Sequence, residues 1–549
     1  MNVSSQRKAI ASPESLQRIF TVPEDSHSTL NIIEQKLSED LAGFLGDNIV
    51  AKETSLASIE TNFKAFQIPE SPQFVSDYTD SMMANLVAHS VHTSAPTFIG
   101  HMTSALPYFV LPLTKLMAGL NQNLVKIETS KAFTPLERQV LGMMHHLIYN
   151  LDERFYQSKM HCSAHSLGAF CSGGTVANMT ALWAARNQLL GPEGDFKGIT
   201  QEGIVAALRY YQYDDLAILT SERGHYSLSK AADLLGIGRQ NIISIQTDEN
   251  NKVNVDIMHQ KAEKLKAQNI KVMAIVGVAG TTETGNIDPL KELSQLAQEI
   301  GCHFHVDAAW GGASLLSKKY RHLLAGIELA DSVTIDAHKQ MYVPMGAGMV
   351  LFKDPSFSQS ITHHAEYILR KGSKDLGRQT LEGSRPGMAM LVHACLQIIG
   401  LNGYEILINN SIEKAHFFAA SIKIHPDFEL ISEPELCILT YRYVPHKVQL
   451  TLSEAIKQNN TKKIREINTL LDSLTKFIQK HQREHGKSFV SRTRISPVKY
   501  QRKPTVVFRT VLANPLTSED ILSQILEEQV EIAKLDSVHL PKLLSLINE

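Results

Sequence analysis

Through the first hundred positions apolar residues recur at helical spacing. In LNIIEQKLSEDLAGFL, Leu30, Ile33, Leu37, Leu41 and Leu45 share one face, which predicts an amphipathic helix. Residues 1–105 hold little glycine and are expected to form a mostly helical appendage. From 106 to 400 the texture changes. The short apolar runs LAILTS, KVMAIVGVAG, CHFHVD, SVTIDA and GMVLF alternate with helical stretches such as VDIMHQKAEKLKAQN and PLKELSQLAQEIG. Continuous apolar strands are strands buried on both faces. Separated by helices, they predict an α/β domain on a mostly parallel sheet with helices on both faces. Residues 401–549 mix the strand candidates ELCILTYRYV and TVVFRTVL with an amphipathic helix around IREINTLLDSLTKFIQ. A last helix follows, where Thr517 and Asp520 form a T-x-x-D capping box. A small α+β domain is expected there.

Composition narrows the partners. The 549 residues carry 54 Lys+Arg and 56 Asp+Glu, so no electrostatic case arises for nucleic acid or a membrane surface, and a small-molecule partner is expected. The basic excess between about 457 and 503 reads as a solvated helix face and loop. Five cysteines show neither C-x-x-C nor zinc-like spacing, and reduced thiols fit the cytoplasm. The start, MNVSSQRKAIASPESLQRIF, has no apolar h-region, and continuous apolar runs fall short of the roughly 18 residues of a membrane helix.

In a parallel sheet, ligands gather at the carboxyl ends of the strands. A lysine after a strand is most simply a solvated charge, yet SVTIDA is followed by His338 and Lys339. CHFHVD ends on Asp307, 32 residues before Lys339, about one helix and one strand away. That spacing can bring both to one rim, and a buried acid is unfavourable unless a cation meets it. In FCSGGTVANMTALWAAR, Ser172, Gly173, Gly174 and Thr175 lead into a helix, whose free N–H groups and dipole suit a phosphate. His225 follows LAILTS, and Gly280, Thr281 and Thr282 follow another strand. Each alone has a plainer reading as a cap, a packed histidine or a β-turn; five motifs at one rim do not.

Pyridoxal phosphate (PLP) catalysis uses these residue types together. It needs a lysine for the aldimine, a carboxylate at the pyridinium nitrogen, a ring against the cofactor face and a helix N-terminus at the phosphate. The acid keeps the pyridine protonated, because a nearby opposite charge favours the charged form.

HVDAAWGG followed by DSVTIDAHKQ resembles the group II PLP-dependent amino-acid decarboxylases, which include glutamate, aromatic amino-acid and sulfinoalanine decarboxylases; the resemblance runs from about residue 80 into the C-terminal domain. It implies a fold-type I PLP enzyme that is an obligate homodimer with sites at the subunit interface. It also implies Lys339 as the aldimine lysine, Asp307 as the pyridinium partner, His225 as the stacking ring, Thr282 near the reactive edge and Ala309 under the ring. Gly174, Thr175 and His338 would hold the phosphate. TLEGSRPG resembles the segment that reaches across the dimer, so Gly383 and Ser384 would add phosphate contacts from the second subunit.

Substrate contacts follow from the same resemblance. FRTVLANP resembles the stretch whose arginine grips a substrate carboxylate, which implies Arg509; a planar, bidentate guanidinium suits that task. APTFIGHMTS resembles the lining of the distal pocket and brings in His101 and Thr103, with His101 standing where glutamate decarboxylases carry a glutamine. Tyr367 is the one tyrosine in the loop between Phe352 and Leu381. It is the candidate proton donor, with His225 as competitor. Within the family the chain resembles most the bacterial members that convert L-aspartate to β-alanine for pantothenate and coenzyme A. The expected activity is therefore α-decarboxylation of a small acidic amino acid, with glutamate and cysteine sulfinate as alternatives to aspartate. A non-catalytic PLP carrier could dispense with Lys339, and a nucleotide module would need a Walker or G-x-G-x-x-G pattern that is lacking.

Overall fold

The short apolar runs pair into one seven-stranded sheet. The computed structural model describes residues 12, 29–46, 49–365 and 372–546. Its strands are β1 (Gly168–Cys171), β2 (Asp215–Ser221), β3 (Ile242–Ile245), β4 (Ile270–Val278), β5 (His303–Asp307), β6 (Ser332–Asp336) and β7 (Gly348–Phe352). Their order is β1-β7-β6-β5-β4-β2-β3. All pairs are parallel except those of β7, which runs antiparallel to β6 and β1. Five strands coincide with the apolar runs; β1 and β3 are four residues each, too short for a pattern to register. A second, antiparallel sheet has the order β10-β11-β9-β8, built from β8 (Phe428–Ser432), β9 (Ile438–Tyr443), β10 (Ser491–Ile495) and β11 (Thr505–Val511).

The helices that position the site or shape the outer face are α1 (Thr29–Gly46), α2 (Val110–Leu120), α3 (Gly174–Leu189), α4 (Ser227–Leu234), α5 (Leu290–Ile300), α6 (Ala389–Ile424), α7 (Thr461–His485) and α8 (Glu519–Lys534). Along β4, Ile275 enters one apolar core with α5, while Ala274 and Val276 enter another with α3 and α4. The sheet is thus covered on both faces, which is why its strands lack alternation. In α5, Leu290, Leu293, Leu296 and Ala297 are buried while Lys291 and Glu292 face out, and Gly301 ends the helix at φ +64. Each such buried leucine contributes about 1.5–3 kcal/mol.

Three features depart from expectation. Ser518, not Thr517, caps α8 by accepting the Ile521 N–H; the Thr517 hydroxyl donates instead to the Pro96 carbonyl at 2.7 Å. Another helix, His539–Leu546, follows α8. Helix α6, kinked at Gly400, is long and apolar enough to cross a membrane by length and composition alone. Polar residues such as His393, Gln397 and Asn402 hide this from a search for continuous runs. Its Leu391, Ile408 and Phe418 are buried, but Ile398, Leu401 and Ile406 are exposed. The leucine stripe of α1 is likewise open, at Leu37 and Leu45.

Candidate active site

Four strand ends meet at one rim around a cavity of about 530 Å³. The register sets Val278 of β4 beside Asp307 of β5, and Asp307 beside Thr334 of β6. Asp307 is thus the last residue of its strand, and Lys339 lies three residues beyond the end of β6. His225 follows β2, and Gly280 and Thr282 follow β4; all line the cavity. Gly280 holds φ +95, and a Cβ there would come within 2.9 Å of the Gly311 N, so only glycine makes this turn.

Lys339 Nζ pairs with Asp336 Oδ2 at 2.9 Å, and Asp336 Oδ1 is buried with no hydrogen-bond partner. Asp307 is 5% exposed. Its Oδ2 accepts from Asn178 Nδ2 (2.8 Å) and its Oδ1 from the Ala309 N–H (3.2 Å). His225 Nδ1 accepts the Ser227 N–H at 3.3 Å and lies 2.8 Å from the Ser227 hydroxyl. Burial lowers the His225 pKa, against the opposing pull of Asp307, so the imidazole is neutral near pH 7 with its hydrogen on Nε2. Gly174 and Thr175 open α3 at the wall, and His338 faces them, its Nδ1 bonded to the Ala347 carbonyl at 2.9 Å. Ala309 lies on the same wall.

The second sheet, through Ile438 and Arg509, and the stretch at His101 and Met102 close the opposite side. Arg509 of β11 is 7% exposed; its Nε donates to the Thr282 carbonyl at 2.6 Å, and Nη1 to the Gly100 carbonyl at 3.4 Å. Burial brings its pKa down to about 10, with Glu283 opposing, so it stays cationic at neutral pH. Burial also lowers the His101 pKa, helped by the charges of Arg509 and Lys339. The Thr103 N–H donates to His101 Nδ1 at 3.3 Å and the Thr103 hydroxyl lies 3.1 Å from the same atom. Neutral His101 therefore carries its hydrogen on Nε2. Thr103 is not on the cavity wall and touches His101 instead.

Two further predicted residues are not on this cavity's wall. Gly383 has nothing within 4 Å of a Cβ position, and the Ser384 hydroxyl accepts from Asn123 Nδ2 at 2.9 Å. Their neighbour Glu382 accepts the Ser172 N–H at 3.1 Å. Tyr367 falls outside the described residues. Sequence reasoning missed Asp336, although it sits in the DAHK motif one turn before the lysine, and it missed Asn178 and Ser227. Among the described residues no His/Cys/Asp/Glu group could hold a metal ion.

Comparison with known proteins agrees with this geometry. The family model described as the pyridoxal-dependent decarboxylase conserved domain matches residues 58–444. An aspartate 1-decarboxylase of Aliivibrio fischeri is 64% identical over 541 residues, 98% of each chain. An L-2,4-diaminobutyrate decarboxylase of Acinetobacter baumannii is 27% identical over 63% of this chain and 66% of its own length. Among solved structures, mouse CSAD superposes with a TM-score of 0.77 at 22% identity, over 91% of this chain and 99% of that one. The glutamate decarboxylase domain of a Vibrio parahaemolyticus diaminobutyrate-pyruvate transaminase and L-2,4-diaminobutyrate decarboxylase gives 0.78 at 20% identity, over 95% of this chain and all of that one; these two show the fold.

Proposed function

The chain belongs to the pyridoxal-dependent decarboxylases, and from that premise we propose that it converts L-aspartate to β-alanine and CO2, with PLP as its cofactor. The observation that carries this reading is one cavity holding Lys339, Asp307 and His225 beside Arg509 and His101, in a chain so similar to the Aliivibrio enzyme. The supply of pantothenate and coenzyme A is the pathway that β-alanine would serve.

The cavity fits the cofactor. A side chain at Gly174 would bring a Cβ within 2.7 Å of Asp336 Oδ2, so glycine lets α3 begin against the cavity, where its N-terminus would take a phosphate with Thr175 and His338 alongside. Asp307 offers a buried carboxylate for the ring nitrogen, Lys339 an amine for the aldehyde, and His225 and Ala309 the surfaces for the ring. When bound, PLP supplies the electron sink that accepts the charge left by departing CO2. Asp307 keeps a proton on the ring nitrogen. Arg509 and the Nε2–H of His101 hold the side-chain carboxylate of the substrate, which orients its α-carboxylate for loss. Met102, Trp310 and Ile438 on the wall exclude water. His225 or Tyr367 would return a proton to the α-carbon.

The dimer is part of the same proposal. Helix α2 exposes Leu111, Leu116 and Leu120 and α6 exposes Ile398, Leu401 and Ile406, apolar faces that a second copy would cover. The partner subunit's Gly383 and Ser384 would then reach the phosphate site. A cytoplasmic setting fits the five free cysteines.

The test is competition. The PLP-loaded protein, offered L-aspartate, L-glutamate, L-cysteine sulfinate and L-tyrosine together, is expected to yield mainly β-alanine by mass spectrometry. Dominance of γ-aminobutyrate, hypotaurine or tyramine would overturn the substrate, and absence of any amine would overturn the reaction.

A further inference from the structure

Behind the cavity, Asp307 and His225 are joined by a chain of buried side chains that the reaction as described does not use. Asn178, on α3, donates from Nδ2 to both Asp307 Oδ2 (2.8 Å) and the Ser227 hydroxyl (3.0 Å). Its Oδ1 lies 3.0 Å from His305 Nε2. His305 Nδ1 lies 2.8 Å from the Ser332 hydroxyl and 3.1 Å from the Ser332 carbonyl, and the hydroxyl is also 2.8 Å from His303 Nε2. Asn178, His305, Ser227 and Ser332 are each at most 1% exposed.

With Asp307 ionised and His305 neutral, the hydrogens in this chain follow in order from the carboxylate. An ionised Asp307 must face the Asn178 amide nitrogen, because turning the amide over would set two acceptor oxygens 2.8 Å apart. Asn178 Oδ1 then faces His305, so His305 Nε2 must carry a hydrogen. Burial holds His305 down to about 4 and His303 down to about 3, so both are neutral at pH 7. His305 Nδ1 therefore accepts from the Ser332 hydroxyl, and that oxygen accepts from His303. On the other branch the Ser227 oxygen accepts from Asn178 and its hydrogen points to His225 Nδ1, fixing the His225 hydrogen on Nε2.

We propose that Asn178, held by His305, is a positioning residue that sets the orientation of the Asp307 carboxylate and, through Ser227, the tautomer of His225. This rests on the reading of Asp307 and His225 as cofactor contacts. A buried network with every member satisfied holds one geometry. Losing the His305 hydrogen leaves Asn178 Oδ1 buried without a donor and loosens the amide that fixes the carboxylate.

The test uses full-length protein and reads the PLP dissociation constant, the absorbance of the bound cofactor against pH, and the melting temperature of the cofactor-free chain. His305→Leu and Asn178→Leu are expected to weaken PLP by roughly 10- to 100-fold, the size of one hydrogen bond to a charged group, and to change the pH at which the cofactor absorbance titrates. His305→Gln, whose amide N–H replaces the Nε2–H, is expected to recover most of the affinity and the absorbance titration. In an Asp307→Ala background, Asn178→Leu is expected to add little, because it acts through the missing carboxylate. The relay is overturned if His305→Gln behaves like His305→Leu, or if the Asn178 and Asp307 effects add in full. If Asp307→Ala weakens PLP and Asn178→Leu leaves it unchanged, the site reading stands and the relay falls. If Asp307→Ala itself leaves PLP affinity and absorbance unchanged, both fall. Should the leucine variants fail to fold, His305→Gln and Ser227→Ala decide alone: a near-normal His305→Gln with a changed absorbance titration in Ser227→Ala supports the relay, and any other pair of results overturns it.

Discussion

The strand-end cavity and the outer face formed by α1, α2 and α6 are opposites in how one chain completes them. Around the cavity, polar groups are buried and bonded: Asp307, Asn178, Ser227 and His305 satisfy one another, and Lys339 meets Asp336. On the outer face the residues are apolar yet open to solvent, with Leu111 49%, Leu401 63% and Ile32 62% exposed. A polar site can be finished by short-range hydrogen bonds within one chain. An apolar stripe is finished only by more apolar surface. The polar groups around the cavity are thus held within one chain, whereas the outer face calls for a second copy, which would bring both cover and its Gly383 and Ser384.

The sharpest way to break that division is Lys339→Ala. Turnover is expected to fall at least ~10³-fold, and a buried carboxylate without its cation is expected to lower the stability of the cofactor-free protein by about 3–5 kcal/mol, read by urea unfolding. Turnover that survives would remove Lys339 from the chemistry. Next comes the outer face: Leu111→Arg with Leu116→Arg is expected to weaken the dimer roughly 100-fold or more, a hot-spot loss of about 3 kcal/mol, to give monomers in sedimentation and to lower turnover as the dimer is lost. A fully active monomer would mean that the site needs no second copy. Third, Arg509→Lys keeps the charge but loses the fork, and KM for aspartate is expected to rise roughly 10-fold or more with a smaller change in kcat; an unchanged KM would place the substrate carboxylate elsewhere.

Acid sharpens the contrast from the buried side. Burial lowers His305 to about 4 and His303 to about 3, both below the unfolded value of about 6.5. The unfolded chain therefore binds these protons first. The stability they protect is complete above pH 6.5 and lost as pH falls toward the folded values, on the order of 1–2 kcal/mol per histidine between pH 7 and pH 5. Urea unfolding at the two pH values measures it, and equal stability would mean that these rings are not held neutral. The smallest effect is expected at the exposed stripe: Leu45→Glu on α1 is expected to change chain stability by no more than about 0.5 kcal/mol, again by urea unfolding, and a larger loss would show that this face is already covered.

The same division governs what could be read before folding. Strands β2 and β4–β7 are legible because burial on both faces leaves an apolar run, whereas β1 and β3 are too short to leave one. Acids, histidines and a lysine at strand ends are legible as residue types, since few other structures place them there. Which of them touch is not legible. Asn178 looks like any polar residue in a helix until the packing of α3 sets it against Asp307. Asp336 lies in plain view in DAHK, yet its pairing with Lys339 exists only once the turn after β6 closes. The stripe from Leu30 to Leu45 announces a helix without naming what covers it, and Thr517 loses its capping role to Ser518 only because Pro96, far away in sequence, presents a carbonyl.

The most direct measurement is to reduce the PLP-loaded protein with borohydride, digest it and locate the pyridoxyl group by mass spectrometry. The group is expected on the peptide containing Lys339, with none on the half-buried Lys414, whose pKa burial lowers to about 8. A pyridoxyl group on any other lysine, or on none, would contradict the assignment of Lys339.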